Sequence, residues 1–329
     1  MTNELNRFGE ASETQRSLFF TQGNNMLSKI LARLGVKKSA TRETVYGYIF
    51  ILPWLIGLFA FTAGPMLLSL ITSFADYNML QMKWNGLGNY IKMFTRDPLF
   101  WKSLSNTLIY ALMNVPLVTI GGVVVASILN KTIFGMRTFR TIYYIPSMMV
   151  GVGTYFLWML MLSPKTGIVN YTLSLIGIKG PNWLNNPAWT KPAIVLMHIW
   201  GLGGQMLLYL ARLQSIPKDY YEAAQLDGAS SFRMWLNITV PLLTPIIFYN
   251  LVIGIIGSFQ IFQEGYVFGN GTGSPAGSLL FYNLYLWNQA FKNFNTGYAN
   301  AMCWFLFAII MVITVINQKL SKKWVYYEE

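Results

Sequence analysis

Polar side chains able to grip a solute are concentrated in two neighbouring apolar stretches of this chain. The stretch at about 192–211 carries the only histidine, His198, with Trp200 and Gln205 beside Gly201, Gly203 and Gly204. The stretch at about 241–263 carries Asn250, Ser258 and Gln260, with Gln263 and Glu264 at its far end. These are hydrogen-bonding groups, and Trp200 and Phe259 add flat apolar faces, the combination that non-covalent recognition of a polar solute needs. Covalent, metal-dependent and nucleotide-hydrolysing chemistry lacks its usual parts, because no His-Glu-x-x-His, paired-cysteine or hydrolase-elbow pattern occurs. No catalytic residue and no metal ligand is therefore expected. Buried polar groups also glue helices together, and small residues let helices pack, so Gly201, Gly203 and Gly204 read as packing or hinge positions.

The elements that would position these residues are membrane helices. Of 329 residues, 54% are hydrophobic and 11% charged, with a mean hydropathy of +0.41. A soluble domain carries roughly 25% charged residues, so lipid is the expected solvent. Six stretches approach the ~20 apolar residues that a spanning helix needs, at about 45–75, 105–130, 139–163, 192–211, 241–263 and 298–318. The expected fold is an all-α membrane protein of six transmembrane helices. Its parts are a polar tail over 1–44, a spanning domain over 45–320 with a cytoplasmic loop at 212–240 between helices four and five, and a short tail at 321–329. The first apolar run is too long for a cleavable signal. Cys303 reads as a small buried hydrophobe.

A net charge of +12 raises the question of nucleic acid, and its distribution answers it. With six spans and a cytoplasmic N-terminus, 16 of the 24 basic residues fall inside and 8 outside. That asymmetry follows the positive-inside rule and sets both termini in the cytoplasm. Such residues orient helices and meet anionic headgroups rather than forming a nucleic-acid patch. The outer side holds only Asp76, Asp97 and Glu264 as acids, a net +5. That field suits an anionic solute or an acidic partner face, and headgroup anchoring explains it equally well.

Residues 25–38 place Met26, Ile30, Leu31 and Leu34 on one helical face and Lys29, Arg33 and Lys37 towards the other, which suits either an interfacial helix or a frayed basic lead-in that only sets topology. The first span contains Pro53, Gly64 and Pro65, and its 31 residues outrun a ~30 Å core, so it should tilt, bend or project. The loop at 76–104 reads as short interfacial helices. The run Gly269–Gly277 lacks the Gly-Lys-Ser/Thr ending of a phosphate loop and reads as a flexible outer turn.

The most patterned polar segment is 217–245. Pro217 suits a first helical turn. Asp219 and Glu222 suit the positive end of a helix dipole. Gly228 suits a left-handed stop. A short helix, a break and a second short helix ending at Pro241 are expected. Ala223 and Ala224 let a partner approach closely, and Glu222 offers it one charge.

Eleven spaced positions here, Glu222, Ala223, Ala224, Asp227, Gly228, Ala229, Trp235, Ile238, Val240, Pro241 and Pro245, resemble the EAA loop of ABC-importer permeases. Trp235 and Val240 stand where Phe and Leu are usual. Matches at 73–77, 86–90, Asn106-Thr107, Arg140-Thr141, Ile145-Pro146, 214–217 and 297–299 extend the resemblance over about 45–320. Together with the glycine-rich fifth loop they resemble the binding-protein-dependent carbohydrate type, a type I importer with a permease like the maltose-transporter F subunit.

The resemblance implies a permease subunit in the bacterial cytoplasmic (inner) membrane. Its partners would be a second, different permease, two ATP-binding subunits that hold ATP-Mg, and an extracytoplasmic solute-binding protein. It makes Glu222, Ala223, Ala224, Asp227, Gly228 and Ala229 the ATPase-coupling residues, and it places sugar contacts in helices four and five, near His198 and Gln260. The path candidates are His198, Trp200, Gln205, Asn250, Ser258, Gln260 and Glu264. The implied cargo is an oligosaccharide, and a uronate such as alginate is compatible with the outer charge. Alternatives are an ABC permease for another solute or an ion-coupled secondary transporter, which would place carboxylates or discontinuous helices at mid-membrane.

Overall fold

The computed structural model describes residues 39–326 apart from Thr132 and Val150. The expected interfacial helix at 25–38 lies outside the described residues. Among the described residues, those up to Leu68 belong to one compact unit and those from Ser69 to a second, which contains every site discussed below.

Among the described residues, four helical runs are long and apolar enough to cross a membrane: Tyr46–Ser73, Pro98–Leu129, Ser231–Phe268 and Thr296–Ser321. Two further runs are broken helices, Met136–Met148 with Val152–Met161, and Thr190–Trp200 with Gly203–Gln214, the latter bent by 47°. Counting each broken pair as one span gives six. The backbone order is α1 (Ser39–Leu58), a π turn (Phe59–Ala63), α2 (Gly64–Ser73), β1 (Ala75–Tyr77), β2 (Met82–Trp84), α3 (Gly88–Thr95) and α4 (Pro98–Leu129). Then come α5 (Met136–Met148), α6 (Val152–Met161), α7 (Ile168–Leu175), α8 (Thr190–Trp200), α9 (Gly203–Ser215), α10 (Asp219–Leu226) and α11 (Ser231–Met234). A second π turn (Trp235–Thr239) leads to α12 (Val240–Phe259), α13 (Gln263–Phe268), α14 (Tyr282–Trp287), a third π turn (Asn288–Lys292) and α15 (Thr296–Ser321).

Two of the π turns have one cause. Pro65 and Pro241 lack an N–H, and their rings displace a carbonyl one turn back. The residue before each proline bonds five residues back instead of four, Gly64 N to Phe59 O and Val240 N to Trp235 O. The helix therefore continues past Pro241. The expected second short helix of the polar segment is the first turn of span five, continuous from Ser231.

The loop at 76–104 differs from the expected interfacial helices. Asn78 Oδ1 accepts from the backbone N–H groups of Leu80 and Gln81, which closes a turn. The flanking residues pair as an antiparallel hairpin, Ala75 opposite Trp84 and Tyr77 opposite Met82. Span two starts at Pro98 rather than 105, since Asp97 Oδ1 caps Leu99 N and Phe100 N. The other Asp97 oxygen accepts from the hydroxyls of Tyr285 (2.7 Å) and Tyr298 (2.5 Å). Burial, and then this bond to a carboxylate, raise the Tyr285 hydroxyl well above the usual phenol range.

α4 is the axis of the core. It supplies Tyr110 to a cluster with Tyr155, Trp158, Ile194 and Phe281. It supplies Phe100 and Ala111 to a second with Met93, Tyr282 and Met302. It supplies Val123, Ala126 and Leu129 to a third with Met206, Tyr209 and Leu243. Its most apolar window is 39% buried against 22% for those of Ser231–Phe268 and α15, so the latter two leave most of their apolar surface for lipid or a partner. Cys303 on α15 is exposed rather than buried, because it lies on such an outward face.

α9 meets α5 at Gly203, where an added Cβ would lie 2.7 Å from Tyr143 O and 2.8 Å from Tyr144 Cα. Gly204 has nothing within 4 Å. Gly203→Ala should cost about 1–3 kcal/mol by forcing two backbones apart, whereas Gly204→Ala should be near neutral. Thermal midpoints of the two purified variants in detergent check this, and equal midpoints would refute the close packing.

Candidate functional site

The two broken spans and the break at Gln260–Phe262 within the Ser231–Phe268 run wall one cavity of about 710 Å³. A helix that stops inside a membrane leaves backbone groups without partners, so such stops are tolerated where they line a cavity or are buried in protein. α5 gives way to α6 after Met149, whose N–H returns to Pro146 O. α8 gives way to α9 at Gly201, whose N–H is shared between Met197 O and His198 O. α12 gives way to α13 at Gln260, whose N–H returns to Ile256 O and Gly257 O. Unbroken α4 forms the remaining wall with Tyr110, Asn114 and Val118.

Six of the seven path candidates border this cavity: His198, Trp200, Gln205, Ser258, Gln260 and Glu264. Asn250 does not. It lies eight residues below Ser258, ~12 Å along the helix, buried, with its Nδ2 bonded to Ile246 O at 3.0 Å. Phe259 faces the α4–α14–α15 cluster instead, and Phe262 takes its place in the wall. Trp200 packs edge-to-face on Trp158 with centroids 5.7 Å apart. Gln205 has a buried Oε1 that accepts from no group among the described residues, an open acceptor beside the cavity.

His198 is the centre of the polar lining. Its Nδ1 lies 2.7 Å from the Tyr110 hydroxyl and 3.1 Å from Asn114 Oδ1. Its Nε2 lies 3.3 Å from Glu264 Oε1. A carboxylate only accepts, so Nε2 carries a proton. In the neutral ring Nδ1 then accepts a hydrogen bond from the Tyr110 hydroxyl and requires the Asn114 amide turned over, while an imidazolium fits the amide as drawn. Asn114 also donates from Nδ2 to Ser258 Oγ at 3.2 Å, which ties α4 to α12. Tyr155 donates to Gln263 Oε1 at 3.0 Å and stands 3.3 Å from Glu264 Oε1. Tyr110, Asn114 and Tyr155 were not among the residues singled out from the sequence. The signal for the first two was present: they sit four apart on one face of an apolar helix, where a polar residue needs a reason.

The second candidate site is the segment at 217–245. α10 starts at Asp219, two residues after Pro217, with Asp219 and Glu222 in its first turn. It ends in a paired closure: Gly228 N bonds to Gln225 O at 3.0 Å and Ala229 N to Ala224 O at 2.9 Å, with Gly228 at φ 73°. Ser230 then caps α11, its Oγ accepting from Arg233 N at 3.4 Å. Trp235 Nε1 donates to Ser127 Oγ at 2.9 Å, and the Tyr221 and Thr239 hydroxyls meet at 3.0 Å, so the segment is fixed to the end of α4 and the start of span five. Glu222, Ala223, Asp227 and Gly228 are exposed, Ala224 and Ala229 half-buried. Leu226 is 90% and Phe232 71% exposed.

The glycine-rich run is not the flexible turn expected from composition. Lys102 Nζ holds Ala276 O at 2.7 Å and Lys292 Nζ holds Gly271 O at 2.9 Å. Asn106 Nδ2 holds Gly277 O and Leu280 O, and Leu279 and Phe281 are fully buried. The glycines serve conformation: Gly271, Gly273 and Gly277 all have positive φ. Among the described residues no three His, Cys, Asp or Glu side chains cluster closely enough to hold a metal ion.

Residues 85–325 match the family described as binding-protein-dependent transport system inner membrane component. The chain belongs to this family and is a membrane permease of an ABC transport system. It is 40% identical over 294 residues, 88% of this chain and 95% of the other, to a probable ABC transporter permease, YesP, of Bacillus subtilis (strain 168). It is 33% identical to the lactose transport permease LacF of Rhizobium radiobacter, over 83% of this chain and 93% of that one. It is 32% identical to the trehalose/maltose permease MalF of Thermococcus litoralis, over 91% and 98%. Among solved structures it resembles a bacterial ABC transporter that imports the acidic polysaccharide alginate, with a TM-score of 0.71, 25% identity and coverage of 86% and 96%.

Ala at position 228 would pay for a left-handed φ with nothing to clash against, about 1 kcal/mol. Gly228→Ala should therefore speed amide exchange across 219–233 about five-fold while the global melting temperature stays put. Unchanged exchange there would mean that the closure does not depend on Gly228.

Proposed function

We propose that this chain is one of two different permease subunits of an ATP-driven importer and that its cavity is half of an oligosaccharide path. The observation that carries this reading is the cavity itself. Its ~710 Å³ lies within the roughly 300–1,000 Å³ of small-molecule sites. Its lining joins hydroxyl, amide, imidazole and carboxylate groups with Trp200 and Phe262, the mixture that a sugar's polar rim and apolar face require. The named sugar transporters among the relatives support the same class. Charge supplies a second reading of the cargo, an acidic oligosaccharide. The outer side carries the net positive charge noted above, and the structural relative imports alginate.

Two ATP-binding subunits would hold ATP-Mg and dock on Glu222, Ala223, Ala224, Asp227, Gly228 and Ala229. The exposed Leu226 and Phe232 give that face apolar area to bury. An extracytoplasmic binding protein would deliver the sugar to the opposite side, and both termini would lie in the cytoplasm. Span five continues without a break from Ser231 to the cavity, so motion of the docked segment would reach Ser258 and Gln260 as a rigid lever.

The test is uptake and ATP hydrolysis in proteoliposomes holding this chain with its partner permease, ATPase and binding protein, across neutral and acidic oligosaccharides. One sugar should stimulate both activities. Glu222→Lys should cut sugar-stimulated hydrolysis at least ten-fold by placing a repelled charge at the docking face. Normal coupling in that variant would remove the docking assignment, and uptake without ATP would favour an ion-coupled transporter.

A further inference from the structure

The three breaks that wall the cavity are tied together by a single cluster. Tyr155 lies one turn into α6, His198 two residues before the end of α8, and Glu264 in the first turn of α13. Glu264 Oε1 receives both other side chains, His198 Nε2 and the Tyr155 hydroxyl, each at 3.3 Å. α4 stays out of this set of interrupted helices. Being unbroken, it holds the Nδ1 edge of His198 through Tyr110 and Asn114 and leaves the Nε2 edge towards Glu264.

The geometry is that of a releasable contact. Both bonds to Glu264 sit at the long end of the hydrogen-bond range. Tyr155 has one proton and two acceptors, and the nearer is Gln263 at 3.0 Å. The His198 side chain is 31% exposed and that of Glu264 13%, so a solute in the cavity can reach both. A sugar hydroxyl donates and accepts at once. It can accept a hydrogen bond from His198 Nε2–H and donate one to Glu264, exchanging one bond for two at little net cost.

We infer that Glu264, His198 and Tyr155 form a latch that holds α6, the end of α8 and α13 together across this chain's side of the cavity, and that a polyhydroxyl solute opens it by hydrogen-bond exchange. This rests on the cavity being the transport path. It adds to that reading a gating role for Glu264 and Tyr155, with His198 as the group on which solute and latch compete.

The test reads access rather than transport. Cys303 is the only cysteine, so Cys303→Ser gives a cysteine-free chain. Gly257 lines the cavity with nothing within 4 Å of an added Cβ, so Gly257→Cys places a reporter there. The full complex in right-side-out vesicles is labelled with a membrane-impermeant maleimide. Loss of one hydrogen bond of ordinary net strength corresponds to about a five- to ten-fold change in an opening equilibrium. Tyr155→Phe should raise the labelling rate by about that factor, and Glu264→Ala, which removes both bonds, by at least as much. The double variant should not exceed Glu264→Ala, and Glu264→Asp should restore slow labelling and so exclude misfolding as the cause. Rates within two-fold of the parent in both single variants, or fully additive effects, overturn the latch. Failure of the transport reading would show separately, as absent ATP-driven uptake with the labelling differences intact.

Discussion

Backbone amides in hydrocarbon have no water to turn to, and each one left unpaired costs several kcal/mol. That constraint organises this chain. Where a span is continuous, as in α4, its amides look after themselves, and several of its polar side chains bond to neighbouring elements. Where a span stops, at Met149, Gly201 and Gln260, the freed groups turn back on their own last turn, and polar side chains gather at the gap. The cavity is thus not carved out beside the helices but made by their interruption. His198 and Glu264 sit where they do because these are the points at which a membrane protein can carry polar groups at bearable cost.

The opposite end of the molecule solves a different problem. The segment at 217–245 must keep a fixed shape while presenting small and charged residues outward. The paired closure at Gly228 fixes the turn, and Trp235 and Tyr221 fasten it to Ser127 and Thr239. Pro241, a helix breaker by composition, leaves the helix intact because a π turn absorbs its missing N–H. A single rod therefore runs from the 217–245 segment to the cavity wall, and the two candidate sites lie on one helical run.

Much of this was legible in residue types. Apolar length gave the spans and Gly228 was a readable stop, but apolar length puts the start of α4 at about 105 rather than at Asp97-Pro98. Polar residues in apolar stretches pointed to six cavity-lining positions. Asn250 shows the limit. By type it equals Ser258, yet it does not border the cavity and its side chain bonds back to its own helix. The glycine-rich run shows it again: composition spelled flexibility, while Lys102, Asn106 and Lys292, distant in sequence, pin it.

The sequence by itself determined what is local or periodic: membrane residence, the number of apolar runs, the charge asymmetry, and the turn chemistry of the segment at 217–245. These follow from the properties of single residues and their spacing along one helix. Only the tertiary structure decided which polar groups meet. Tyr110 reaches His198 across 88 positions, and Tyr155 reaches Glu264 across 109. Those pairings depend on where three spans break and how α4 packs between them, and no spacing along the chain encodes a distance between helices.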